Sequence, residues 1–252
     1  MNWTLVRHTM HRLLTRTVAI GVIIAYSLYT LTVVVMQAVS NQVQAAGAMN
    51  NPQGGHWVDS AKSAWFLVWA IGTGVLGQER SDGYLPLLLS RPISRAQYVF
   101  SRWAGLVLSV LAIDVTLIVL ALVWMAGKGQ APGLDFILLR WAWFAFFTVL
   151  AASWLTLLSA CFAGHGDLVF FFTGSLAAYF VGMRALGTDG LQQAHDVLTW
   201  FWEPGDASFS LVQAGNLSGA AYGGVAFLVG AGTCLALAAY IMQRRDISYV
   251  NR

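Results

Sequence analysis

Long apolar runs constrain this chain more than any other feature of its sequence. Of its 252 residues, 58% are hydrophobic and only 10% are charged, whereas a soluble domain carries about 25% charged residues. A helix needs about 20 apolar residues to cross the hydrocarbon core of a bilayer. We therefore expect an all-α membrane protein with six transmembrane helices, at about residues 18–38, 61–77, 104–125, 136–161, 168–186 and 221–242.

The distribution of Lys and Arg predicts how these spans are oriented, because short cytoplasmic loops carry an excess of both residues. One side of the six-span layout holds Arg7, Arg12, Arg16, Arg80, Arg91, Arg95, Arg102, Arg244, Arg245 and Arg252, and the other holds Lys62, Lys128, Arg140 and Arg184. We expect a multi-pass protein of the bacterial cytoplasmic (inner) membrane with both termini in the cytoplasm. Since the basic residues gather at span ends, the formal charge of +3 does not indicate binding to nucleic acid.

The N-terminal stretch 2–16 is amphipathic if it is helical. At about 100° per residue, its apolar stripe lies opposite most of its basic residues. The stripe contains Trp3, Val6, Met10, Leu13 and Leu14, and the other side contains His8, His11, Arg12 and Arg16. A basic helix with Trp on its apolar face is typical of the membrane interface. A plain charged tail is the alternative interpretation.

A dense group of charges lies between the second and third predicted spans, in the segment 79–102. Charged side chains are costly in hydrocarbon, so this segment must face water. Asp82-Gly83 predicts a turn, and Pro92 ends the apolar run that follows it. Ser94 is a suitable N-cap for a new, short helix whose first turn opens at Arg95. Arg91 and Arg95 would then be available to a partner.

The order of residues in this segment resembles the cytoplasmic coupling segment of ABC-2 type ABC transporter permeases. The matching residues are Glu79, Gly83, Leu88, Leu89, Ser90, Pro92, Ile93, Ser94 and Arg95. Two residues depart from the pattern, because Tyr84 stands where Thr is common and Pro86 interrupts a stretch that is often helical. A loop whose arginines only set the topology is the alternative interpretation.

The resemblance implies a single transmembrane domain over residues 1–252: an interfacial elbow helix (2–16), a cytoplasmic coupling helix between spans two and three, and short re-entrant or extracellular helices in the loop 187–220. It also implies a permease subunit of an exporter, with two ATPase subunits and a second, identical or related permease chain as partners besides the membrane lipids. The residues that it assigns to ATPase coupling are Glu79, Gly83, Ser90, Arg91, Pro92, Ile93, Ser94 and Arg95. A loop anchored at the interface by aromatic residues is the alternative for 187–220.

This sequence contains no phosphate-binding loop of the G-x-x-x-x-G-K-[ST] type. Before Gly127-Lys128, Leu122 stands at the position of the first Gly, and Gly129 replaces the Ser or Thr. We therefore expect ATP and Mg²⁺ to bind a partner ATPase, with no cofactor, metal or catalytic residue in this chain. A non-transporting membrane anchor or regulatory subunit is one alternative function. An intramembrane enzyme is another, but the sequence has no H-E-x-x-H motif.

Asp114 is the carboxylate nearest to the middle of a predicted span. An ionisable residue at such a depth faces a protein interior or a wet cavity. One interpretation places Asp114 in a substrate path or a subunit contact. The other has its carboxyl group satisfied by the hydroxyl of Ser109 or Thr116, or by a neighbouring span.

Overall fold

The computed structural model describes residues 2–15, 64, 67–77, 79, 93–127, 134–162, 166, 167, 169 and 217–244. These ranges contain helices and turns and no strand. The helices are α1 (Trp3–Leu14), α2 (Arg95–Gly127), α3 (Leu134–Cys161) and α4 (Leu217–Arg244). Three stretches are long and apolar enough to cross a membrane: Arg95–Leu120, Trp141–Cys161 and Phe227–Arg244. The chain is therefore an all-helical membrane protein over its described part.

The third, fourth and sixth predicted spans fall on α2, α3 and α4. Helix α4 begins at Leu217, four residues before the predicted start of the sixth span and within the segment predicted as a loop. The first predicted span and the loop segment 187–216 lie outside the described residues, and Val169 is the one described residue of the fifth predicted span.

Helix α2 begins where the sequence predicts but is much longer than the predicted coupling helix. Its start is a capping box, in which the Gln97 amide nitrogen donates to Ser94 Oγ and the Ser94 amide nitrogen donates to Gln97 Oε1, both at 3.2 Å. The sequence from Arg95 to Arg102 contains neither Gly nor Pro to end the helix. The expectation of a separate short helix before the third span is therefore wrong, since one helix of 33 residues covers both.

The second predicted span is not a continuous helix. Residues 67–72 are helical, but residues 73–76 form a turn. Gly74 in this turn has a φ of 71°, a backbone conformation that L-residues with a side chain rarely adopt. The prediction of a helix up to Gly77 is wrong because the left-handed residue at 74 interrupts the helical hydrogen bonds.

The described chain divides into two compact units. The first unit contains residues from Met1–Thr73 and Phe100–Leu155, and the second contains residues from Gly74–Val99 and Thr156–Arg252. In the first unit the helical turns 67–72 lie close to α2 and α3, because a Cβ atom added at Gly72 would be 2.6 Å from Leu155 Cδ2 and 2.7 Å from Leu106 Cδ2.

Helix α1 docks on α2 within the first unit. The Asn2 amide nitrogen donates to Ser101 Oγ at 3.1 Å, and Arg102 Nη1 donates to Thr9 Oγ1 at 2.8 Å. A Cβ atom added at Gly105 would lie only 2.6 Å from Thr9 Cβ. The buried residues of α1 are Leu5, Val6, Thr9 and Leu13.

The direction of the apolar stripe of α1 is only partly as the sequence predicts. Val6 and Leu13 are buried in protein, whereas Trp3 is 63% exposed. Met10 and Leu14 are half-buried. The stripe divides in this way because Gly105 lets the backbone of α1 approach α2 closely, so that part of the stripe packs on protein.

Candidate functional site

Buried polar side chains surround the turn that interrupts the second predicted span. The Gly74 amide nitrogen donates to Asp167 Oδ2 at 2.8 Å. The amide nitrogens of Leu76 and Gly77 both donate to Ser159 Oγ at 3.0 Å. Asp167 and Ser159 are buried. Together, residues 74–77 and these two acceptors form the break site, which lies within the second unit.

The break site follows from the hydrogen-bonding needs of its backbone. A turn in place of a helix removes partners from amide groups, and a buried amide without an acceptor costs about 1–3 kcal/mol. In hydrocarbon no water replaces the missing partner, so broken helices persist where other protein groups satisfy them. Ser159 near the end of α3 and Asp167 beyond it supply the acceptors.

A second buried contact joins the residues after the break to the first turn of α2. The Tyr98 hydroxyl donates to Glu79 Oε2, and both side chains are buried. Hydrogen bonds to an ionised carboxylate are stronger than those between neutral groups. The resemblance assigns Glu79 to ATPase coupling, and in the structure Glu79 contacts Tyr98, a residue of the same segment 79–102.

Arg95 in the same helical turn contacts the end of α4. Its Nη1 atom donates to the carbonyl oxygens of Met242 at 3.0 Å and Gln243 at 2.9 Å. The last carbonyls of a helix lack helical partners and carry partial negative charge, so a guanidinium group stabilises them. The sequence predicts that Arg95 is available to a partner, but in the structure its Nη1 atom binds α4 within the second unit.

The other residues predicted for coupling are described only in part. Ser94 is exposed and Ile93 half-buried at the start of α2, and the Ser94 hydroxyl accepts the capping hydrogen bond. Gly83, Ser90, Arg91 and Pro92 lie outside the described residues.

Asp114 belongs to the first unit and is completely buried. The two hydroxyls that the sequence suggests as partners of Asp114 donate to backbone carbonyl groups instead. Ser109 Oγ donates to the Gly105 carbonyl at 2.7 Å, and Thr116 Oγ1 donates to the Ala112 carbonyl at 2.8 Å. Each hydroxyl thus gives its proton to its own helix, and neither donates it to the Asp114 carboxylate.

Sequence reasoning missed Ser159, Asp167 and Tyr98. Gly166 and Asp167 are both helical. One signal was available for Asp167, since a carboxylate directly before an apolar run needs a partner when it is buried. Among the described residues, no group of three or more His, Cys, Asp and Glu side chains is placed to hold a metal ion.

No protein-family model matches the chain, and no curated protein matches it in sequence.

Proposed function

We propose that this chain is the transmembrane permease subunit of an ATP-driven ABC exporter of the ABC-2 type. It crosses the bacterial cytoplasmic membrane six times and has both termini in the cytoplasm. Two ATPase subunits bind ATP and Mg²⁺, and a second permease chain, identical or related, completes the translocation path. The coupling segment 79–102 receives the motion of the ATPase subunits.

The observation that carries this proposal is the set of contacts made by the first turn of α2. This turn belongs to the segment that resembles the permease coupling phrase. Within the second unit, Tyr98 binds Glu79 and Arg95 binds the last carbonyls of α4. A force applied at this turn therefore acts on Glu79, which follows the second predicted span, and on α4 at once, as a transmission element requires.

The break site supports the proposal from a different direction. Transporters commonly contain discontinuous membrane helices whose unwound backbone lines or moves near the transport path. The turn 73–76 lies within the second predicted span and precedes Glu79. We infer that the turn gives Gly77 and Glu79 the freedom to follow the first turn of α2.

Purification of the full-length tagged chain from its own membranes in mild detergent tests the proposal. We expect an ATP-binding subunit to co-purify and to be identified by mass spectrometry. Arg95→Glu replaces a donor with a carboxylate that faces the Met242 and Gln243 carbonyls. This variant is expected to retain the membrane insertion of the chain and to lose either the ATPase subunit or its transport-coupled hydrolysis.

Arg95→Lys serves as the matched control, because it keeps the charge and one donor to the α4 carbonyls. It should retain most of the bound ATPase. A well-folded wild-type chain that carries no ATPase would overturn the proposal. An ATPase that binds but hydrolyses ATP at the same rate with wild-type and Arg95→Glu chains would favour a non-transporting anchor.

A further inference from the structure

The exposed side of α1 combines basic and aromatic side chains on a helix with no acidic residue. Trp3, Arg7, His8 and His11 are all exposed. At about 100° per residue they fall within an arc of roughly 140° that also holds Thr4, Leu14 and Thr15. We call Trp3, Arg7, His8 and His11 the headgroup face of α1.

The docking of α1 fixes the direction of this face. Thr9 and Val6 lie on the opposite side, where Thr9 accepts a hydrogen bond from Arg102 and adjoins Gly105. Asn2 is tied to Ser101 through its amide nitrogen, and its side chain caps the helix by accepting from the Leu5 amide at 3.3 Å. Rotation of α1 about its axis would break these contacts, so the headgroup face stays outward.

An apolar edge borders the basic arc. On the helical projection Met10 lies about 20° from Trp3 on the side of the buried residues, and Leu14 lies about 20° from Trp3 on the other side, next to Arg7. Both are half-buried and Trp3 is 63% exposed. A soluble phosphate ion has no apolar part to contact these side chains, whereas a phospholipid carries acyl carbon close to its phosphate. Trp is also enriched at the depth where these two parts of the lipid meet.

We propose that the headgroup face binds the phosphate group of an anionic membrane phospholipid. Arg7 supplies the cation, His8 and His11 supply ring N–H donors, and Trp3 with Met10 and Leu14 contacts the glycerol and the upper acyl carbons. The site is a property of the first unit and is independent of the proposed transport function.

Lipid titration of the full-length chain in detergent, followed by native mass spectrometry, tests this proposal. Phosphatidylglycerol and phosphatidylcholine are the probes, and the wild-type chain should prefer the former. One Arg at a membrane surface contributes about 1 kcal/mol, so Arg7→Gln should reduce that preference about fivefold. Arg7→Gln/His8→Gln/His11→Gln should reduce it further, and Trp3→Ala should weaken the binding of both lipids.

Arg12→Gln is the matched control, because it removes the same charge from the same helix at the edge away from Trp3 and Arg7. It should leave most of the preference intact. Equal losses in Arg7→Gln and Arg12→Gln would show only diffuse surface charge and would overturn the site. A wild-type chain without a preference for phosphatidylglycerol would also overturn the site. So would competition in which glycerol 3-phosphate displaces the bound lipid as readily as phosphatidylglycerol does.

Discussion

Two glycines, two residues apart, perform different tasks in the same apolar segment. At Gly72 the backbone is helical, and the missing side chain leaves room for Leu106 and Leu155. At Gly74 the backbone has a φ of 71°, and the missing side chain permits a turn. In the first unit, Gly72 and Gly105 thus allow neighbouring elements to approach closely. In the break site, Gly74 allows a left-handed backbone conformation. Close packing keeps a membrane helix regular, whereas a turn obliges other residues to satisfy its backbone.

The hydroxyl groups show the same contrast. In the regular helices, Thr9, Ser109 and Thr148 donate to the carbonyl four residues earlier at 2.7–2.8 Å, a local bond that lets a polar side chain sit in an apolar helix. Ser159 accepts instead from two amides more than 80 residues away in sequence. Removal of a local hydroxyl leaves the helical hydrogen bonds in place, but removal of Ser159 leaves two buried donors without an acceptor.

Because of this contrast, we expect Ser159→Ala to cause the largest loss of stability. Two orphaned buried amides, each costing about 1–3 kcal/mol, should lower the free energy of unfolding by about 3 kcal/mol. Ser109→Ala is the matched control and should cost less than about 1 kcal/mol, since it removes one locally bonded hydroxyl. Denaturant titration of both variants in the same detergent measures the difference. Equal costs would mean that the break site does not depend on Ser159.

Gly105→Val should have the next largest effect. The added side chain meets Thr9 Cβ and the Val6 carbonyl oxygen, which are on or next to the backbone of α1 and cannot rotate away. Overpacking of this kind costs about 1–3 kcal/mol, and we expect α1 to be displaced as well. Limited proteolysis should therefore cleave near α1 faster in this variant than in the wild-type chain.

Gly232→Val controls for the poorer helix propensity of Val, since an added Cβ atom at Gly232 meets no atom within 4 Å. It should change the stability by no more than about 1 kcal/mol. If both variants are equally sensitive to protease, the close approach at Gly105 does not hold α1.

The contrast also explains which features the sequence predicts. The start of α2 is encoded locally, because Ser94 and Gln97 lie three residues apart and satisfy each other. The apolar runs of α2, α3 and α4 are likewise read directly from composition. The interruption of the second predicted span cannot be read from composition in this way. Glycines at 72, 74 and 77 are as consistent with close helix packing as with a turn.

The partners in the long-range hydrogen bonds have no local sequence signal. Asp167 is 93 residues from Gly74, and Arg95 is 147 residues from its partner Met242. Such pairs arise only when the helices pack, so no periodicity or capping pattern indicates them. The same holds for the buried side of α1, which depends on Gly105 of another helix.

Gly74→Ala should have a smaller effect than either of the first two variants. Its backbone would have to keep a left-handed conformation, which costs an L-residue about 1–2 kcal/mol. Gly74→Asn should cost less than Gly74→Ala, because Asn tolerates this region better. A comparison of thermal unfolding midpoints in detergent tests that order. The reverse order would indicate that space, as at Gly72, and not backbone conformation, is what requires glycine at position 74.

Asp167→Asn should have the smallest effect and identifies what Asp167 contributes. The amide oxygen of Asn still accepts from the Gly74 amide, so the variant loses only the extra strength of a charge-assisted bond, about 0.5–1 kcal/mol. Asp167→Leu removes the acceptor and should cost clearly more, by the same argument that applies to Ser159. Denaturant titration of the two variants separates these cases. If Asn is as costly as Leu, the negative charge itself is required, and the break site is then held by a charge and not by an acceptor. The turn at Gly74 would in that case respond to any process that neutralises Asp167, whereas the close approaches at Gly72 and Gly105 depend on side-chain volume and would not.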